Sequence, residues 1–190
     1  MAFRFSFDHF DWIAPIYDTI IPGSNIDQLI QYGKFPCDGK VLDLGGGTGR
    51  VTRELLHIQP NIILVDSSLG MLRVANQNLR VNLTLCLAEK LPFPSNSFDR
   101  VILIDTLHHV IDTSIALREC LRVLKRDGLL IIQEPDIEQW GGRLIALLEK
   151  ILLMRSHLLR IREVHNILTP FAREIVVERG NQQYWIICRK

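Results

Sequence analysis

No part of the chain supplies the uninterrupted apolar run of about 20 residues that a membrane span needs. The nearest approach, over residues 144–159, is broken by Glu149 and Lys150. The N-terminal MAFRFSFDHFDW lacks a basic stretch, an apolar block and a small-residue cleavage site, so no secretory leader is expected and the cytoplasm is the expected location. An excess of either charge is missing too. With 22 basic and 21 acidic side chains the formal net charge is +1, which leaves no electrostatic footprint for a phosphate backbone, and nucleic acid is not an expected partner. The four cysteines, Cys37, Cys86, Cys120 and Cys188, lie 49, 34 and 68 residues apart, with no CxxC pair and no histidine at finger spacing. They are expected as reduced core thiols, and no metal is expected. Internal repeats and low-complexity linkers are absent as well.

What remains is an ordinary globular composition, 47% hydrophobic and 23% charged over 190 residues, enough for one domain with a substantial core. Five β-rich runs recur with helical stretches between them: KVLDL (40–44), NIILVD (61–66), NLTLCLA (82–88), RVILID (100–105) and GLLIIQE (128–134). They are near-continuously apolar, as parallel strands covered on both faces are, and their connections are long enough to cross back. Helical periodicity occupies 48–57, 68–79 and 113–124, with Ser67 or Ser68 and Asp112 or Thr113 as N-caps. Gly128 is suited to a left-handed turn that ends the third helix. REIVVERG and QQYWIICRK, separated by GNQ, predict an antiparallel hairpin at the sheet's far edge.

The expectation is therefore an α/β fold, a doubly wound, Rossmann-like, seven-stranded and mostly parallel sheet. It divides into an N-terminal arm (1–35), a core (40–135), a helical segment (136–172) and the hairpin (173–190).

VLDLGGGTGR, residues 41–50, puts glycines at 45, 46, 47 and 49 in a strand-to-helix turn. So bare a backbone brings amide N–H groups up to a ligand. The dinucleotide pattern G-x-G-x-x-G needs a glycine where Arg50 stands, which counts against a nicotinamide cofactor. Asp66 closes the second run 17 residues beyond Gly49, where a carboxylate can accept both hydroxyl protons of a ribose. An unphosphorylated adenosine compound is the expected ligand.

AEKLPFPSNSFDRVILIDTLHHV, together with VLDLGGGTG, VDSSLGMLRVA and ALRECLRVLKRDGLLIIQEP in this order, resembles the class I S-adenosylmethionine-dependent methyltransferases. More narrowly it is similar to the ubiquinone and menaquinone C-methyltransferase group. The resemblance is strong over about 40–135, and the arm FDHFDWIAPIYD is similar to the same group's lid. It implies that Asp43 and the backbone of Gly45, Gly47 and Gly49 hold the amino and carboxyl end of S-adenosylmethionine. It implies further that Asp66 holds the ribose, with Ser67 beside the adenine and Ala88 and Glu89 on the ring's other side. Asp105 and Thr106 are placed near the methionine portion and the methyl group, and Leu107 to His109 continue the wall. Leu87 stands where the group commonly has Asp or Asn for the adenine amino group.

A sulfonium carries its own activation, so alignment and exclusion of water matter more than a nucleophile. His108 and His109 are candidate bases because imidazole titrates near neutrality, with Tyr17 and Asp18 of the arm as weaker ones. The apolar stretch 144–159 is expected as core, dimer contact or the wall of an apolar pocket. Arg143, Lys150, Arg155, Arg160 and Arg162 form its wet side, which allows peripheral membrane contact. The expected activity is methyl transfer to a small, partly apolar acceptor, for which the resemblance suggests a quinone-like class, by a monomer or homodimer. The rivals are a methyltransferase-like binding module without turnover and a nicotinamide-dependent oxidoreductase.

Overall fold

The computed structural model describes residues 9–20, 25–139 and 159–190. The apolar stretch expected over 144–159 falls, except for Leu159, outside those residues, as do Arg143, Lys150 and Arg155. The arm forms α1 (His9–Ile13), a 3-10 turn (Ala14–Ile16) and α2 (Tyr17–Ile20). Then follow α3 (Ile26–Gly33), β1 (Val41–Leu44), α4 (Arg50–Leu55), β2 (Ile62–Asp66), α5 (Leu69–Asn78) and β3 (Asn82–Leu85). After β4 (Phe98–Ile104) come a 3-10 turn (Leu107–His109), α6 (Thr113–Val123) and β5 (Leu124–Pro135). The described chain ends with α7 (Ile161–Leu168), a 3-10 turn (Thr169–Phe171), β6 (Glu174–Arg179) and β7 (Gln183–Arg189).

The seven strands are ordered β3-β2-β1-β4-β5-β7-β6. β1 pairs in parallel with β2 on one side and β4 on the other, so the chain's direction of winding reverses between β1 and β4. That reversal opens a crevice beyond the carboxyl ends of these strands. β7 lies antiparallel between β5 and β6, as the hairpin signal predicts. Its residues alternate sides: Tyr184, Ile186 and Cys188 join the core cluster containing Leu103 and Leu117, whereas Trp185 joins the one containing Leu29 and Leu55. A strand wholly covered on both faces has this pattern.

The caps fall where short polar side chains precede apolar periodicity. Ser68 accepts from Met71 N–H at 3.1 Å and Asp112 from Ile115 N–H at 3.0 Å. Asn25 does the same for α3. Two boundaries differ from expectation. β3 ends at Leu85 rather than Ala88, and β5 starts at Leu124, directly after α6. Gly128 is not the left-handed residue; Asp127 is, with φ 63°. Gly128 serves close packing instead, since a Cβ there would lie 2.8 Å from Leu124 Cδ1 and 3.0 Å from the Asp99 carbonyl oxygen.

Candidate active site

The glycine turn leaves β1 with Gly45, Gly47 and Gly49 at φ 72°, 57° and 82°, the left-handed region that disfavours a Cβ. Their surroundings differ. A Cβ on Gly45 would strike Thr106 Cγ2 at 2.1 Å and one on Gly49 would strike Leu79 Cδ1 at 2.2 Å, whereas at Gly47 the nearest atom is Met71 S at 3.9 Å. The outer two glycines seat the turn against α5 and the end of β4; the middle one faces open space, where a ligand can approach the backbone. Gly45→Ala is therefore expected to cost about 2 kcal/mol of stability through strain and overpacking. Gly47→Ala is expected to cost about 1 kcal/mol and to act chiefly on ligand binding. Chemical denaturation and calorimetry of both variants separate the two effects.

Asp66, at the end of β2, is brought to this open face. Its carboxylate accepts from Gly47 N–H and Ser68 N–H, each at 2.8 Å. It thereby joins the turn to the start of α5, and Ser67 stands exposed between Asp66 and the Ser68 cap. Asp43 lies below the turn, 2% exposed, and accepts from Thr52 Oγ1 at 2.5 Å. Burial pushes its carboxyl up to about 6, against the lowering effect of the Thr52 hydroxyl.

The opposite wall is the segment after β4. Asp105 takes φ 51°, accepts from Gln133 Nε2 at 2.8 Å and faces Arg50 at 3.7 Å. Arg50 thus has a partner across the crevice at the position where a third dinucleotide glycine would have stood. Thr106 Oγ1 donates to Ile104 O at 2.9 Å and approaches Gly45 O at 3.3 Å, tying this wall to the glycine turn.

Two carboxylates that the sequence did not single out in this role fasten the rest. Glu134, at the end of β5, accepts from Thr106 N–H at 3.0 Å and Leu107 N–H at 2.6 Å, and its other oxygen faces His108 Nδ1. Glu89, expected beside the adenine, accepts from Ile111 N–H at 2.7 Å and Asp112 N–H at 3.0 Å. Its carboxylate therefore braces the wall, while its neighbour Ala88 joins the core. For Glu134 the available signal was an acidic residue following the apolar run Leu129 to Ile132 of the strand next to β4.

The histidines take different places. His108 is 1% exposed and held by Glu134. His109 lies against His108 with ring centroids 3.9 Å apart and planes tilted by 52°, and it meets Phe10 of the arm edge-on at 4.9 Å. Burial, then the neighbouring His108, depresses the His109 pKa to about 2. Its imidazole is neutral throughout the physiological range, so the expectation of titration near neutrality is corrected for this residue.

The arm crosses the crevice. Asp11 accepts from Ser68 Oγ and Gly70 N–H, each at 2.7 Å. Asp18 accepts from the Thr48 hydroxyl and, at 2.9 Å, from Arg53, and these partners hold its carboxyl below the usual range despite partial burial. Among the described residues no group of three His, Cys, Asp or Glu could hold a metal, and no helix is long and apolar enough to cross a membrane.

A glycine turn open at Gly47, an acidic residue closing β2 beside it and a sheet with an antiparallel β7 together give the fold of the class I, S-adenosylmethionine-dependent methyltransferases. Residues 42–132, just under half of the chain, match the family described as methyltransferase domain, and the chain is similar to ubiquinone/menaquinone biosynthesis C-methyltransferases. The ubiquinone/menaquinone biosynthesis C-methyltransferase of Pasteurella multocida is 43% identical over 142 residues, 66% of this chain and 53% of that protein. The chain spans about half the length of the curated relatives it matches. Among solved structures, a possible histamine N-methyltransferase from Thermotoga maritima superposes with a TM-score of 0.76 at 21% identity, covering 96% of this chain and 98% of that one. The cyclase SpnF superposes with a TM-score of 0.70 at 19% identity, covering 88% and 71%.

Proposed function

We propose that the protein transfers a methyl group from S-adenosylmethionine to a small, partly apolar acceptor, with a quinone-like ring as the favoured class. The observation that carries the donor half is the open backbone at Gly47 with Asp66 directly against it. When bound, the cofactor supplies an electrophilic methyl group on a sulfonium, so the chain has only to align, shield and accept hydrogen bonds. The Gly45, Gly47 and Gly49 backbone and Asp43 would hold its amino-acid end, and Asp66 the ribose, with Ser67 and Ala88 beside the adenine.

The wall Asp105 to His109 would then face the acceptor. His109 contributes a neutral ring that can accept a hydrogen bond without first losing a proton. Phe10 against it supplies an aromatic surface, and the docked arm excludes water. Ile111, 81% exposed two residues beyond His109, gives the edge of this wall an apolar character that suits such an acceptor. Similarity to the Pasteurella ubiquinone/menaquinone biosynthesis C-methyltransferase supports the quinone class. A single domain over 1–190, acting in the cytoplasm, belongs to the same proposal.

Calorimetry with S-adenosylhomocysteine, followed by its release from S-adenosylmethionine across a panel of quinols, phenols and amines, tests both halves. No heat with either cofactor form defeats the donor half. Quinols left unmethylated while another class turns over defeat the acceptor half. Leu87, half-buried where the resembling group has an amide or carboxylate, favours a second reading, a binding module without turnover. Cofactor binding with no transfer to any acceptor would select it. The SpnF likeness shows that this fold also carries a cyclase.

A further inference from the structure

Glu134 is a charged residue with 3% exposure that follows the buried run Gly128 to Gln133 of β5, a costly place for a carboxylate. What surrounds it explains how it is held. One oxygen receives two consecutive amides, Thr106 N–H and Leu107 N–H, and the other faces Nδ1 of His108. An ionised carboxylate only accepts, so the proton between them belongs to the imidazole, on Nδ1. Nε2 is then the ring's accepting nitrogen. The same ring is the surface against which the tilted His109 ring rests, and His109 in turn meets Phe10 of the arm.

We propose that Glu134 is a positioning residue for the wall 106–109: it sets the turn through two amides, fixes His108 in the Nδ1–H form and so orients the contacting pair of imidazoles. Its expected effect on turnover rests on the methyl-transfer reading; its effect on the imidazole does not. Glu134→Gln separates these roles. The amide oxygen of glutamine can keep both backbone bonds, while its NH₂ group presents donors to Nδ1, where the carboxylate presented an acceptor. The His108 proton must then move to Nε2, although the turn and the cofactor crevice stay in place.

The test uses the full chain labelled with ¹⁵N at histidine. Long-range proton–nitrogen correlation is expected to show His108 protonated at Nδ1 in the wild type and at Nε2 alone in E134Q. S-adenosylhomocysteine affinity is expected to change by less than about threefold, while turnover falls about 100-fold, the scale seen when an imidazole is held in the wrong tautomer or loses its proton-transfer role. Wild-type His108 protonated at Nε2 alone overturns the proposal, as does an E134Q chain with an unchanged tautomer or unchanged turnover. If E134Q does not fold, His108→Asn keeps a donor for Glu134 and removes the second ring nitrogen. Retained turnover in that variant also overturns the proposal. A wild-type chain with the expected Nδ1–H form but no turnover on any acceptor tells against methyl transfer and leaves the placing of Glu134 intact.

Discussion

Asp66→Ala is expected to weaken S-adenosylhomocysteine binding about 100-fold while the chain remains folded. Two charge-assisted bonds contribute on the order of 1.5–3 kcal/mol each, and Asp66 makes two, to Gly47 N–H and Ser68 N–H. Both lie in backbone that a cofactor would meet, so their loss loosens the glycine turn at its open residue as well as removing the proposed ribose acceptor. Asp66→Asn retains one accepting oxygen and should fall between the wild type and alanine. Calorimetry measures the affinities, and a melting curve separates loosening from unfolding. An alanine variant that binds within threefold of the wild type would remove Asp66 from the site.

Asp43→Asn is expected to stabilise the protein above pH 6, by about 3 kcal/mol. The Asp43 carboxyl has its folded-state value raised to about 6, first by burial, from an ordinary 3.8. The native chain therefore holds that proton more tightly than the unfolded chain. The corresponding stability is fully present below about pH 4 and is lost as pH rises through 6. Asparagine keeps an oxygen for the Thr52 hydroxyl and has no charge to bury, so this loss disappears. Denaturation midpoints from pH 4 to pH 8 should diverge between the two proteins, with the wild type falling relative to the variant. Parallel curves would show that Asp43 does not titrate as its burial demands. A carboxylate kept under the turn despite this cost fits a site in which stability is traded for binding.

The sheet was legible in the sequence because each parallel strand is a short apolar block and each crossover carries helical spacing. Strand-to-helix glycines and the terminal aspartate of β2 were legible for a local reason: their roles follow from what the adjacent backbone can reach. The bracing of the wall was not. Glu89 and Glu134 find their amides 22 and 27 positions away; for Glu134 the adjacency of β4 and β5 decides the meeting, and for Glu89 the path of the connection between β3 and β4 does. Likewise, imidazole chemistry taken from the free side chain misjudges His109, whose charge is excluded by the burial that the arm and His108 impose. At Gly128 the sequence suggested a left-handed turn ending the third helix, whereas the helix ends at Val123, the left-handed residue is Asp127 inside β5, and the glycine is needed for room beside Asp99.

The placing of β7 between β5 and β6 bears on how the protein is made. Synthesis delivers β6 before β7, yet β6 has no other neighbour in the sheet. Until residues 183–189 emerge from the ribosome, β5 presents a long row of unpaired backbone groups flanked by Leu129 to Ile132, and β6 waits unattached. A nascent chain with such an open apolar edge is a template for pairing with other chains. Completion of the sheet is thus deferred to the arrival of one late strand, and ribosome stalling shortly before residue 183 should yield a chain that chaperones retain and that aggregates when released.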